Sequence, residues 1–386
     1  MQPAARVQTA IEILDRILAG EAAERALTNW ARGARYAGSK DRAAVRDHVF
    51  DVLRCQRSCA ALGGGESGRA LMLGHLRATG LDIGALFIGG SYGPAPLDEG
   101  DAPGQAPQGY EAWDMPDWLG EKLSASLGAQ AESAAMALRH RADVFLRVNT
   151  LAGDLGAAIA ALSEDGITAE PHPLSPTALR VTEGARAVAR SRAYTQGLVE
   201  LQDAASQAVV DLLPLQPGLR VLDFCAGGGG KTLAMGARLN GGPVEAHDAD
   251  PGRMADLPAR AARAGVQVIA ANAPQGPYDL VLADAPCSGS GAWRRSPEGK
   301  WRLTPQALDE LVQIQAGILA QCAALVAPDG VLAYATCSML DEENEAQVRD
   351  FVQANPAWQI ELTRQFLPDD GGDGFFVACL RRTIAK

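Results

Sequence analysis

Beyond about Leu201 the chain alternates short apolar runs with helical patterns, and this alternation restricts the fold more than any other feature of its 386 residues. Val221–Phe224, Val244–His247, Val266–Ala270, Leu280–Ala283 and Val331–Ala335 read as strands with helices between them. Strands joined by helical crossovers lie parallel in a doubly wound sheet. Gly374–Leu380 is expected to add a late antiparallel strand. In such a sheet the strand carboxyl ends share one edge, the edge where open α/β sheets bind ligands.

The run Val221-Leu-Asp-Phe-Cys-Ala-Gly-Gly-Gly-Gly-Lys-Thr232 is an apolar strand that breaks into glycines and then starts a helix. Such a turn lets a ligand approach the backbone closely and aims helix N–H groups at it. A Walker A loop needs Gly five positions before Gly230, where this chain has Cys225. The dinucleotide fingerprint fails too, because neither Gly227 nor Gly228 has its partners at the required spacing. A methyltransferase first loop fits best, with Cys225, Ala226, Gly227, Gly228, Gly229, Gly230 and Lys231 cradling the methionine end of S-adenosylmethionine. The second strand should then end in an acid for the ribose hydroxyls, and Asp248 stands there. Asp250 is the neighbouring alternative, although an acid just ahead of Pro251 also suits a helix start. Arg253 joins the cofactor-contacting residues, and Asn272, after the third strand, is a partner for the adenine amine.

The fourth strand runs into Asp284-Ala-Pro-Cys-Ser-Gly289 and the fifth into Thr336-Cys-Ser338. Parallel topology therefore makes neighbours of Cys287 and Cys337. Two thiols at adjacent strand ends are more than the buried structural cysteine that any single thiol suggests. Sequence geometry alone leaves the two equivalent as nucleophiles.

The segment before this sheet has a different texture. Val7, Ala10, Ile11, Leu14, Ile17 and Leu18 follow a helical period, as do Val45, Val49, Val52 and Leu53. Five prolines and four glycines between Ser91 and Pro116 read as a linker. Asp117–Arg139 reads as helix, Val144–Val148 as a strand and Leu155–Leu162 as a helix, together a small mixed α/β module. The expected order is a helical domain over 1–90, a linker over 91–116, the small module over 117–200 and the doubly wound domain over 201–386.

A net charge of -11 argues against a surface coated in basic residues. Locally the balance differs: residues 1–60 hold ten Arg or Lys against seven acids. Arg294, Arg295 and Lys300 form a second basic knot beside Trp293 and Trp301, and local patches of this kind bind phosphates while the whole chain stays acidic. Seven cysteines spread thinly argue for reduced thiols rather than a disulfide framework, and Cys55 and Cys59 lack the partners of a zinc site. No run approaches the ~18 apolar residues of a membrane span, and the first thirty residues are no signal peptide. A cytoplasmic monomer without metal or membrane partner is expected.

At these residues the chain resembles the RsmB/Sun family of RNA cytosine carbon-5 methyltransferases. The blocks Leu222-Asp-Phe-Cys-Ala with Gly229-Gly-Lys-Thr232, Asp284-Ala-Pro-Cys-Ser-Gly289, Arg294-Arg295 with Lys300-Trp301, and Tyr334-Ala-Thr-Cys-Ser338 with Glu342-Glu-Asn344 occur in that family's order. Arg147-Val-Asn-Thr150 and Gln202-Asp203 with Ser206 resemble its entry segment, and Asp41-Arg-Ala with Leu53-Arg54 resembles the helical NusB-type RNA-binding domain of bacterial members. The chain departs from the family at Gly227-Gly228, where Ala-Pro is usual, at Asn272, where an acid is usual, and at Ser296, where Asn is usual. Four glycines make a looser loop with a larger ordering cost.

The resemblance implies a Rossmann-like methyltransferase domain, S-adenosylmethionine as cofactor and RNA, of the small ribosomal subunit, as partner. It implies that Cys337 attacks carbon 6 of a cytosine, that Cys287 assists release, that Asp284 holds the ring and that Lys231 supports the site. Arg147, Arg294, Arg295 and Lys300 are the expected RNA contacts. An RNA-binding assembly factor with an inactive methyltransferase fold is the alternative, argued against by the intact cysteine pair.

Overall fold

The computed structural model describes residues 1–90 and 92–383. The chain divides into two compact units, one of Met1–Arg141 with Trp293–Arg302, the other of Ala142–Ala292 with Leu303–Lys386.

The first unit is helical. Pro3–Leu18, Ala23–Gly33, Ser39–Arg54, Gln56–Gly63 and Gly68–Thr79 bury Val7, Ile13, Leu14, Val45, Val49, Leu53, Leu71 and Leu76 in one core. The helical period marked the first and third of these in advance. Residues 92–116 are not the free linker their composition suggests. Arg69 pairs with Asp101 at 2.6 Å, Gly104 donates to the Leu62 carbonyl, and Asp114 and Met115 are fully buried. A Cβ on Gly104 would lie 1.9 Å from the Ala61 carbonyl oxygen, so the strap needs glycine there. The helices Asp117–Leu127 and Ala131–Ala137 also cluster with this unit.

The second unit carries two sheets. β1 (Val144–Val148), β2 (Thr168–Pro171), β3 (Ala178–Glu183) and β4 (Val199–Leu201) form an antiparallel sheet in the order β2-β3-β1-β4. The helix Leu155–Glu164 packs on it through Ala158 and Leu162.

The larger sheet contains β5 (Val221–Asp223), β6 (Val244–Ala246), β7 (Val268–Ala270), β8 (Tyr278–Asp284), β9 (Val326–Thr336), β10 (Trp358–Phe366) and β11 (Phe375–Arg382). Their order is β10-β11-β9-β8-β5-β6-β7. Strands β5 to β9 are parallel, and β11 runs antiparallel to both β9 and β10. Apolar side chains cover both faces: Val221, Val244, Leu280 and Ala333 contribute to one cluster, Leu222, Val281, Leu332 and Tyr334 to the other. This two-sided burial is why the parallel strands read as continuous apolar runs. β10 escaped the sequence reading because only Trp358 and Phe366, at its ends, are buried. Among the described residues no helix is long and apolar enough to cross a membrane.

Candidate active site

The ends of β5, β6, β7, β8 and β9 place the loop after Asp223, Asp248, Asn272, Asp284 and Cys337 along one edge of the sheet. The loop turns sharply. Gly227 and Gly229 have φ of 51° and 82°, and a Cβ on Gly229 would lie 2.2 Å from Leu257 Cδ1. Both positions need glycine. The helix Gly230–Arg238 starts directly from this turn.

Asp248 is buried and binds the loop itself. Its two carboxylate oxygens accept the Gly227 and Asp250 backbone N–H groups, each at 2.9 Å, and Arg253 Nη1 lies 3.4 Å away. Asp250 is exposed and caps the short turn Pro251–Met254 through the Gly252 N–H, the helix-start role weighed for it from sequence. Asn272 is exposed at the same edge. Asp223 is fully buried. One of its oxygens accepts the Thr232 hydroxyl at 2.6 Å, while Oδ1 has no hydrogen-bond partner. Burial pushes this carboxyl up to about 7.

A buried carboxylate with an unpartnered oxygen, a second one organising the loop backbone, and a glycine turn open to close approach together fit a polar ligand such as S-adenosylmethionine. Lys231 closes the site's inner wall. Its Nζ lies 2.8 Å from Asp284 Oδ2 and 4.6 Å from the Phe375 ring centre, with Lys231 buried and Asp284 partly open to solvent.

The thiols behave differently from one another. Burial, reinforced by Asp223 and Asp284, pushes the Cys225 thiol up, which removes it as a thiolate nucleophile. Cys287 Sγ and Cys337 Sγ are 3.4 Å apart. The hydrogen bond with Cys337 and then burial drive the Cys287 thiol well above its ordinary value, so Cys287 keeps its proton. The Ala285 N–H bonded to the Ala335 carbonyl at 2.9 Å, and the Gly291 N–H bonded to the Cys337 carbonyl at 3.0 Å, tie the two strand ends together.

Three of the four residues expected to contact RNA are interior. Arg147 is buried in β1, where its guanidinium donates to the Gly230 carbonyl at 2.6 Å and to the Gln202 side chain. Burial lowers it to about 10. It supports the first turn of the cofactor-side helix instead of facing solvent. Lys300 is buried in the helical unit, donates to the Arg54 carbonyl at 3.1 Å and lies 4.6 Å from the Trp301 ring centre. Arg294 is buried in the same unit, its carbonyl accepting from Arg54 Nε at 2.7 Å. Arg295 alone of the knot is exposed. The Arg-Trp knot is therefore largely a packing element, since Trp301 Nε1 also bonds the Leu53 carbonyl at 2.7 Å. Composition carries no sign of burial, so the sequence could not separate a phosphate-binding patch from a satisfied interior one.

Residues outside the sequence-based list also build the site. Arg260 donates to the Gly228 carbonyl and pairs with Glu200 of β4 at 3.4 Å. Arg147 and Arg260 thus fasten two carbonyls of the glycine turn, which offsets the looseness expected from Gly227-Gly228. Glu343 and Asn344, which the sequence marked only as part of the Glu342-Glu-Asn344 block, hold the cysteine-bearing segments.

Residues 210–381 match the family model described as 16S rRNA methyltransferase RsmB/F, and residues 115–188 match the ferredoxin-like domain of the same proteins. A curated relative from Yersinia pseudotuberculosis, named ribosomal RNA small subunit methyltransferase B, is 35% identical over 280 residues. The match covers 68% of this chain and 65% of the relative's own length. The solved structure of PH0851 superposes with a TM-score of 0.78 over 99% of both chains at 24% identity. A methyltransferase homologue from Pyrococcus horikoshii superposes with a TM-score of 0.62, covering 70% of this chain and 96% of that one at 23% identity. At such identities the two structures speak for the fold alone.

Proposed function

Residues 115–188 and 210–381 match the two RsmB/F methyltransferase family models, and from that premise we propose that the chain belongs to this family and methylates carbon 5 of a cytosine in small-subunit ribosomal RNA through a covalent cysteine adduct. The observation that carries the reading is the pair of thiols 3.4 Å apart at the ends of adjacent parallel strands.

Carbon 5 of cytosine is a poor nucleophile until a thiolate adds to carbon 6 and pushes electron density onto it. Cys337 is the attacking sulfur. Cys287 retains its proton and can donate it toward the Cys337 sulfur 3.4 Å away. Asp284 is open enough to hold the ring at N3 and the amino group, with Lys231 Nζ 2.8 Å from its Oδ2. After methyl transfer a base takes the carbon-5 proton, and the Cys337–carbon bond breaks with its electron pair returning to the Cys337 sulfur, a release that Cys287 assists.

When bound, S-adenosylmethionine supplies a methyl group on an electrophilic sulfonium. Residues Cys225–Gly230 and Lys231 would hold its methionine end, Asp248 its ribose, Asn272 its adenine, with Arg253 and Asp284 at the rim. The helical unit is read as a NusB-type RNA-binding domain, supported by the basic excess of residues 1–60, and Arg295 remains its exposed phosphate contact. A target base must be unpaired or flipped at a cost of a few kcal/mol, which single-stranded RNA largely avoids.

The test is transfer of a tritiated methyl group from S-adenosylmethionine to ribosomal RNA, followed by trapping. Cys287→Ala should accumulate a protein–RNA band that survives denaturing electrophoresis, and Cys337→Ala should give none. The band appearing with Cys337→Ala instead would exchange the two roles. No label in RNA with the wild-type chain would favour a non-catalytic RNA-binding protein.

A further inference from the structure

Glu343 stands in a stretch rich in acids, Asp341–Glu345, yet it is fully buried. Its Oε1 accepts the Ser288 backbone N–H at 2.8 Å and Gln315 Nε2 at 3.0 Å. Its Oε2 accepts the Ser288 and Ser338 hydroxyls, each at 2.5 Å. Ser288 follows Cys287, and Ser338 follows Cys337. One carboxylate therefore binds the segments that carry both thiols, and four charge-assisted bonds satisfy a group that would otherwise be costly to bury.

The bonds are unequally divided. Gln315 Nε2 also donates to the Pro286 carbonyl at 2.9 Å, so Cys287 is bracketed by Gln315 before it and Glu343 after it. Cys337 has independent support. Asn344 accepts the Thr336 hydroxyl at 2.5 Å and donates to the Ser338 carbonyl at 2.9 Å, gripping the residues on either side of Cys337. Loss of Glu343 should thus displace Cys287 and largely spare Cys337.

We propose that Glu343 is a positioning residue that holds the Cys287 segment against Cys337, so that release of the methylated RNA depends on it while covalent attack does not. This rests on the cysteine roles given above. Glu343 acts through Ser288 and Ser338, and substitution by Gln keeps its shape while removing the charge that strengthens all four bonds.

The experiment uses full-length Glu343→Gln with two readouts. The first is formation of the Cys287–Cys337 disulfide by diamide, in which two S–H bonds break, an S–S bond forms and the diamide N=N bond takes up both hydrogens. Peptide mass spectrometry identifies the pair. The second is the split between single-turnover adduct formation with RNA and steady-state turnover. The disulfide should form at least tenfold more slowly, adduct formation should stay within about threefold of wild type, and turnover should fall at least tenfold as adduct accumulates. If the Gln variant does not fold, Ser288→Ala removes one of the four bonds and should shift both readouts in the same direction by less.

A wild-type disulfide rate with wild-type turnover overturns the proposal. So does an equal fall in adduct formation and turnover, which is the signature of less folded enzyme. Absence of an adduct from both the wild-type chain and Cys287→Ala would refute the cysteine chemistry instead, and the disulfide rate would still decide whether Glu343 positions the thiols.

Discussion

Replacing Lys300 by Met asks whether the basic knot is an RNA contact or part of a folded interior. Lys300 is enclosed, and burial lowers it to about 8 from 10.5, opposed in part by Asp114 and Cys55. A displacement of that size sets roughly 3 kcal/mol against the folded state at pH 7, where the ammonium is charged in both states. Between pH 8 and 10.5 the folded state has lost this proton and the unfolded state still holds it, so wild-type stability rises with pH across that window. Met fills the same volume without charge but leaves the Arg54 carbonyl without its donor at 3.1 Å, a loss of about 1–3 kcal/mol. The variant should therefore equal or exceed wild type by up to ~2 kcal/mol at pH 7 and fall below it by about 1–3 kcal/mol above pH 10.5. Urea unfolding followed by tryptophan fluorescence suits the measurement, because Trp30, Trp113, Trp118, Trp293 and Trp301 all lie in the helical unit. RNA affinity and its salt dependence should be unchanged. A tenfold loss of RNA binding with a shallower salt slope, or a loss of more than 2 kcal/mol at pH 7, would refute the burial argument.

Gly229→Ala should cost about 2–4 kcal/mol, combining the left-handed backbone with a contact 2.2 Å from Leu257; an unchanged denaturation midpoint would contradict this. Asp248→Ala should weaken S-adenosylmethionine binding at least tenfold, about 1.5–3 kcal/mol, because it removes a charged acceptor and frees the Gly227 N–H; calorimetry with unaltered affinity would take the ribose role from Asp248. Asp223, raised to about 7 from 3.8 by burial, favours folding below pH 4 and loses that contribution as pH rises through 7, so Asp223→Asn should flatten the stability profile between pH 4 and 7. Parallel profiles for the two proteins would show that Asp223 is not buried as described.

The periodicity of the sequence determined the parallel core of the large sheet, because strands covered on both faces have to be continuously apolar and their crossovers have to be helical. The glycine turn, Asp248, Asp284 and both cysteines were legible for the same reason: each follows a strand end, and parallel strands share one edge. That the two thiols are neighbours was legible as well, but not how their environments differ. Cys287 and Cys337 looked equivalent until the hydrogen bond between them, together with burial, fixed the proton on Cys287. Arg147, Arg294 and Lys300 were expected to meet RNA, and only packing decided that all three are interior, with Arg147 and Lys300 serving backbone carbonyls. Glu343 is the converse case, an acid in a hydrophilic stretch that the fold encloses. Local sequence records which residues prefer water, but four donors assembled from the segments after β8 and β9 and from the helix Pro305–Leu325 can outweigh that preference, and those donors meet only in the tertiary structure.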